Sequence, residues 1–335
     1  MNATEEHNEE IAGVKRVCQI MAAEGVIGVL GNLLVCYVIL RVKFLHNMTN
    51  YLLVNLAVAD MLLCLEETLY YLTSDCKLIA FAPVSNGVRD LFCRILASRF
   101  LAWALTYTSA YNLCVVTLER YIAIVHPLHY ARKLTTGRMV TLITLVWVIS
   151  FLISLPLLFT IETSSYPDRI CLIKYPHLLF PIIFSIYSFL LGYLLPLTLM
   201  IVAYYKMQVT LKRQAKALNL QHARAAAYDL VIARQNLVSM LKTVLGALIL
   251  LWTLDYVTIL LCLQHTEEAQ FLFCGSKGYH YTTLFASLLF TFNSVINPII
   301  YEFKYKKFRQ GLKVAFCSCF KRQGGNRVDV EMVPL

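Results

Sequence analysis

Seven long apolar runs constrain this chain more than any other feature. They read Ile20–Leu40, Tyr51–Thr73, Phe92–Tyr121, Arg138–Thr160, Leu179–Tyr205, Leu237–Leu263 and Tyr279–Tyr301. At about 1.5 Å of rise per residue, each is long enough as a helix to cross a hydrocarbon core of about 30 Å. Backbone groups in lipid must be bonded within their own segment, so all seven are predicted to be helices. The composition agrees, since 59% of the 335 residues are hydrophobic and 15% are charged, where a soluble domain carries about 25% charge. After Tyr301 the run EFKYKKFRQGLKVAF alternates basic and apolar residues at helical spacing, the pattern of a helix lying on a membrane surface. The fold class expected is therefore an all-α membrane protein. It has a seven-transmembrane helix bundle and an amphipathic eighth helix on the inner leaflet.

An odd number of crossings puts the two termini on opposite sides. About 20 of the 30 Lys and Arg residues fall in the first, second and third inner loops and the tail, and the positive-inside rule then places the N-terminus outside. The net charge of +10 follows from this loop bias and needs no nucleic-acid partner. Three parts are expected: an extracellular N-terminus over 1–19, the helical domain with its eighth helix over 20–316, and a cytoplasmic tail over 317–335. Asn2-Ala3-Thr4 fits a glycosylation sequon on the outside, and Asn47-Met48-Thr49 fits one that an inner loop would keep silent. The stretch from Lys206 to Asn236 has no Gly or Pro, so the fifth and sixth helices should extend beyond the bilayer there. Cys317 and Cys319, next to the amphipathic run, are palmitoylation candidates, with free cytosolic thiols as the plain alternative.

Charged and polar residues within the spans need a reason, because a charge at mid-membrane costs on the order of 2.5–3.5 kcal/mol on the insertion scale. Asp60, Asn32, Ser109, Asn293, Ser294 and Asn297 all fall mid-span. A shared cluster would satisfy Asp60 and could hold a sodium ion through oxygen ligands; separate structural hydrogen bonds would do as well. Pro298 interrupts the last span, and Pro156 and Pro196 do the same in the fourth and fifth, each removing a backbone bond and bending its helix.

These residues carry a resemblance. Gly31-Asn32, Leu56-Ala57-x-x-Asp60, Glu119-Arg120-Tyr121, Trp147, Pro196 with Tyr204, Trp252, and Asn297-Pro298-x-x-Tyr301 followed by Phe308 stand one set per helix, in order. The chain resembles a rhodopsin-like (class A) G-protein-coupled receptor over about residues 20–316. The resemblance implies a plasma-membrane receptor, not an enzyme, that binds an extracellular ligand and activates a heterotrimeric G protein, with membrane lipid and arrestin as further partners. It implies that Arg120 leaves Glu119 on activation, that Tyr204 and Tyr301 stabilise its extended form, and that Leu128 in the second inner loop plugs into the G protein. It further assigns Asp60, Asn32, Ser109, Asn293 and Asn297 to an allosteric sodium site and Trp252 to the pocket floor. No other cofactor is implied.

The departures are as informative. Leu254 stands where the sixth helix should carry proline, and Leu248 replaces an aromatic one turn before Trp252. Arg234 stands where an acid often bridges to Arg120, which suggests a loosened inactive state with raised basal signalling. Ala102 replaces the acid that binds amines and Thr291 the lysine that binds retinal, so neither a conventional aminergic receptor nor an opsin is expected. Cys93 lies two residues further from Arg120 than the family's spacing; an insertion, a bulge or a different pairing would each explain it.

The outer pocket is expected to include Glu66, Glu67, Tyr70, Arg99, Ala102, Trp103, Trp252, Asp255 and Tyr256. Its acids either meet a cationic group of a peptide or small molecule or pair internally with Arg99, and a neutral or lipid-like ligand is the third reading. The resemblance implies a Cys93–Cys171 disulfide. Cys18–Cys274 could tie the N-terminus to the third outer loop, while Cys76–Cys171 and Cys76–Cys93 stay open. Cys36, Cys64, Cys114 and Cys262 read as buried small apolar residues. A transporter or channel would show repeated halves or matched broken helices, and the sequence shows neither.

Overall fold

A computed structural model describes residues 3–75, 85–164, 170–220, 225–262 and 276–320 of the chain. Seven helices are long and apolar enough to cross a membrane: Lys15–Arg41, Met48–Thr73, Asn86–Val125, Thr136–Phe159, Phe180–Leu218, Ala227–Leu261 and Gly278–Lys304. They are numbered here as spans one to seven. The end carrying Arg120 is called inner and the end carrying Cys93 outer. An eighth helix, Lys306–Phe320, follows span seven and packs its apolar face against span one. Cys317 and Cys319 fall in its last turns. Asn2, Cys76 and Cys274 lie outside the described residues.

Helix ends carry the expected chemistry. Asn47 Oδ1 accepts from Asn50 N at 3.1 Å to start span two, and Ser276 Oγ accepts from Tyr279 N at 3.1 Å to start span seven. Both satisfy an otherwise orphaned donor of the first turn. The helical backbone of span one reaches out to Ala3, and those of spans five and six reach Leu220 and Ala225, as the Gly- and Pro-free inner sequence predicts. Pro156 ends the regular helix of span four in a 3₁₀ turn, Leu155–Phe159. Ahead of Pro196 the backbone widens into a π turn, Phe189–Leu194. There the Tyr111 hydroxyl of span three donates to Leu191 O at 2.9 Å, so a carbonyl in the loosened stretch is still paired.

Span three is central. Of its most apolar window, 72% is buried by the rest of the bundle, against 17% for span four. Spans one and two also approach closely. A Cβ on Gly28 would stand 2.3 Å from Cys64 Sγ, and one on Gly25 would stand 2.0 Å from Thr68 Oγ1, so only glycine permits this contact. The outer mouth carries one antiparallel hairpin, β1 (Ile161–Thr163) with β2 (Cys171–Ile173). Cys171 is joined to Cys93, and Arg89 donates to the hairpin at Ile170 O and Ser164 O.

The outer end of span three resolves the spacing of Cys93. The stretch Cys93–Ala97 is a π turn, and Arg99 follows with φ 63°. Among the described residues it is the one non-glycine with positive φ. The extra residues are absorbed by a bulge, and the disulfide to Cys171 is kept. Cys262 corrects an expectation: it is disulfide-bonded, not a buried free thiol. Cys18 is also disulfide-bonded, and both partners lie outside the described residues. Cys36, Cys64 and Cys114 are free.

Candidate functional site: an outer acidic pocket above an inner arginine latch

At the inner end, Arg120 is folded back onto Glu119 through two short contacts, from Nε and Nη2. Glu119 is fully buried. Its carboxylate also accepts from Tyr130 Oη at 2.6 Å and from Thr49 Oγ1 at 3.1 Å. Tyr130 sits on a short loop helix, Pro127–Lys133, opened by proline at its first position. Burial, then the bond to Glu119, push the Tyr130 phenol up to about 12, so it stays protonated and donates. Leu128 on the same helix is 94% exposed and free to meet a partner. The Tyr204 hydroxyl shares a 2.7 Å bond with Thr117, while the buried Tyr301 hydroxyl has no partner. Tyr121 packs edge-on to His126 with ring centroids 5.7 Å apart. Among the described residues no ion pair ties Arg120 to span six, where Arg234 stands.

Midway along the bundle, Asp60 is fully buried. Its Oδ1 accepts from Ser109 Oγ at 2.7 Å and Ser294 Oγ at 3.1 Å, and its Oδ2 accepts from Asn297 Nδ2 at 2.7 Å. Asn32 Nδ2 donates to Ser294 O at 2.9 Å and Gly28 O at 3.0 Å. Two expectations shift here. Asn32 reaches Asp60 only through Ser294, and Asn293 makes no hydrogen bond with either amide atom. Buried oxygens of Asn32, Asn293 and Asn297 are left without donors. Orphaned oxygens around a carboxylate suit a small oxygen-ligated cation. Alongside, Asn55 donates to Asn112 at 2.5 Å and accepts from Trp147 Nε1 at 3.1 Å. Asn55 and Asn112 carry no periodic or charge signal in the sequence.

Above Asp60 lies an aromatic floor. Trp252 stacks on Phe290 with centroids 4.9 Å apart. Trp103 meets Tyr107, Phe184, Tyr256 and Phe290 at 5.9–6.4 Å. Tyr193 Oη bonds Thr253 Oγ1 at 2.7 Å, and Tyr107 donates to Ser188 at 2.9 Å. Ala102 does not open onto this floor; it is buried with Leu63 and Leu105 in a small apolar cluster.

The outer acids gather around Arg99. Its Nη1 lies 3.3 Å from Glu66 Oε2, and its Nη2 bonds Glu67 Oε1 at close range. The guanidinium sits over the Tyr70 ring, 4.2 Å from the centroid. Asp255 stands on span six, three residues beyond Trp252. The internal pairing expected as one alternative is thus present, yet the acids outnumber the arginine.

The family described as 7 transmembrane receptor (rhodopsin family) matches residues 31–301. The chain is 29% identical to neuromedin-U receptor 2 of Rattus norvegicus, across 93% of this chain and 80% of that one. It is 31% identical to somatostatin receptor type 4 of Rattus norvegicus, across 91% and 74%. The D(3) dopamine receptor of Mus musculus is 33% identical over 56% of this chain and 40% of its own. The chain belongs to the rhodopsin family of seven-transmembrane G-protein-coupled receptors. It is a multi-pass membrane protein and not an enzyme.

Proposed function

We propose that this receptor sits in the plasma membrane with its N-terminus outside and takes a ligand bearing a positive charge into the Glu66–Glu67–Asp255 pocket. The observation that carries this is the imbalance of acids over bases: Glu66 and Glu67 share the single Arg99, and one oxygen of Glu67 is buried without a partner. Low dielectric makes an uncompensated carboxylate costly, and a cationic ligand supplies the missing charge. The relatives are named for neuromedin U, somatostatin and dopamine, so kinship by itself leaves the ligand open, and the pocket chemistry supports a cationic one. Trp103 adds an aromatic face that favours a cation.

The ligand biases two states of the bundle. In the state described, Arg120 is held by Glu119. Activation frees Arg120, opens the inner end, and lets Leu128 and Arg120 meet the G protein. Tyr204 and Tyr301 hold the released arginine. Asp60 with Ser109, Ser294 and Asn297 holds a sodium ion that favours the inactive state, and arrestin reads the same inner surface. Glycosylation at Asn2 and palmitoylation at Cys317 and Cys319 complete the reading.

The test is a screen of cationic and neutral ligands for G-protein dissociation in cells, repeated with Asp255→Asn and Glu67→Gln. Cationic agonists should lose potency about tenfold or more in either variant. Agonists that are neutral and unaffected by both substitutions would overturn the pocket assignment.

A further inference from the structure

Glu24, on span one, is not explained by the pocket above. It is buried, with 8% of its surface exposed, and both of its carboxylate oxygens lack any hydrogen-bond partner. Gly25, the next residue, packs against Cys64 and against Thr68, the residue after Glu67, across the interface between spans one and two. Glu67 gives only Oε1 to Arg99; its Oε2 is also buried and has no partner. Three carboxylate oxygens therefore stand unsatisfied on two neighbouring acids, beyond the reach of water. A group buried this way in a native protein calls for a reason.

We propose that Glu24 and the free oxygen of Glu67 form a binding subsite for a primary ammonium group. This rests on the reading of the outer end as a ligand pocket and deepens it by naming a second acidic position on span one. The match is one of donors to acceptors: a primary ammonium carries three N–H donors and no acceptor, and three acceptors are available. A guanidinium is already accommodated, since Arg99 occupies Glu66, Glu67 Oε1 and the Tyr70 face. A quaternary ammonium has no N–H to give, so it leaves the three oxygens unsatisfied.

The experiment measures melting of the full-length chain in lipid nanodiscs with n-butylammonium and with butyltrimethylammonium. A ligand that binds only the folded state raises the melting temperature in a saturable way. The expected result is a saturable rise with butylammonium and little with the quaternary ion. In Glu24→Gln the apparent affinity for butylammonium should fall about tenfold or more, while the empty variant melts no lower than the parent. Equal shifts from both ions, or no saturable shift with butylammonium, would overturn the subsite, and neither result depends on how any variant folds. An unchanged affinity in Glu24→Gln also overturns it. The broader pocket reading is decided separately, by agonist potency in Asp255→Asn, and stands if only Glu24→Gln is without effect. N-acetyl-lysine amide binding alongside butylammonium assigns a peptide side chain as the source of the ammonium. Butylammonium alone assigns a small amine. Both support the subsite.

Discussion

Tyr130 donates a 2.6 Å hydrogen bond to Glu119, the same carboxylate that holds Arg120. The second inner loop therefore helps set the latch directly. Tyr130→Phe keeps the ring and removes the donor. A hydrogen bond to a charged group contributes roughly 1.5–3 kcal/mol when buried, and less here because Tyr130 is only part-buried. Basal G-protein dissociation should rise several-fold at matched surface expression, with Thr49→Val giving a smaller rise.

Arg234 occupies the inner part of span six without an ion pair to Arg120. Asp229, nearer the inner tip of the same span, makes no ion pair with Arg120 among the described residues, so span six adds no charge to the latch and raised basal signalling is expected. Arg234→Glu supplies the missing acid. Ligand-free signalling should fall, measured by the same dissociation assay; no change would remove the argument for a loosened inactive state.

Asn55 links spans three and four by bonding both Asn112 and Trp147. Asn55→Ala leaves the indole N–H and the Asn112 oxygen without these partners. Unsatisfied buried polar groups cost about 1–3 kcal/mol each, so the melting temperature of the purified receptor should drop clearly. Asn55→Ser, whose hydroxyl can both donate and accept, should cost less.

The Cys93–Cys171 bond closes a sequence separation of 78 residues and pins the hairpin over the mouth. Chain-entropy reasoning gives such a closure on the order of 4 kcal/mol. Cys93→Ser should cut surface expression strongly, and Cys171→Ser should match it. The double variant should be no worse than either single one.

The architecture was legible because lipid leaves so few options. Length, apolarity and the basic bias of the inner loops fix seven helices and their order, and the structure adds mainly their exact ends. The central cluster was legible in part. Asp60 was marked by its cost, but choosing between the adjacent Asn293 and Ser294 requires knowing how span seven is rotated, and Ser294 is the one that bonds. The Cys93 spacing signalled irregularity without its form, since a π turn closed by Arg99 at positive φ is decided by tertiary pairing. The disulfide at Cys262 was hidden for a related reason: pairing depends on Cα separation and on the direction of the side chains. Glu24 carried no signal of its own. An acid near the mouth of a span reads as solvated until the neighbouring helix is seen to cover it.

The central claim is that an arginine latch at the inner end governs contact with a G protein. It is tested most directly by reconstituting the purified full-length chain in lipid with heterotrimeric G proteins and measuring guanine-nucleotide exchange, for the parent and for Arg120→Ala. The account predicts exchange above the receptor-free rate for the parent with at least one class of G protein, and loss of that acceleration in Arg120→Ala while the helical bundle stays folded. Acceleration that survives intact in Arg120→Ala would contradict it.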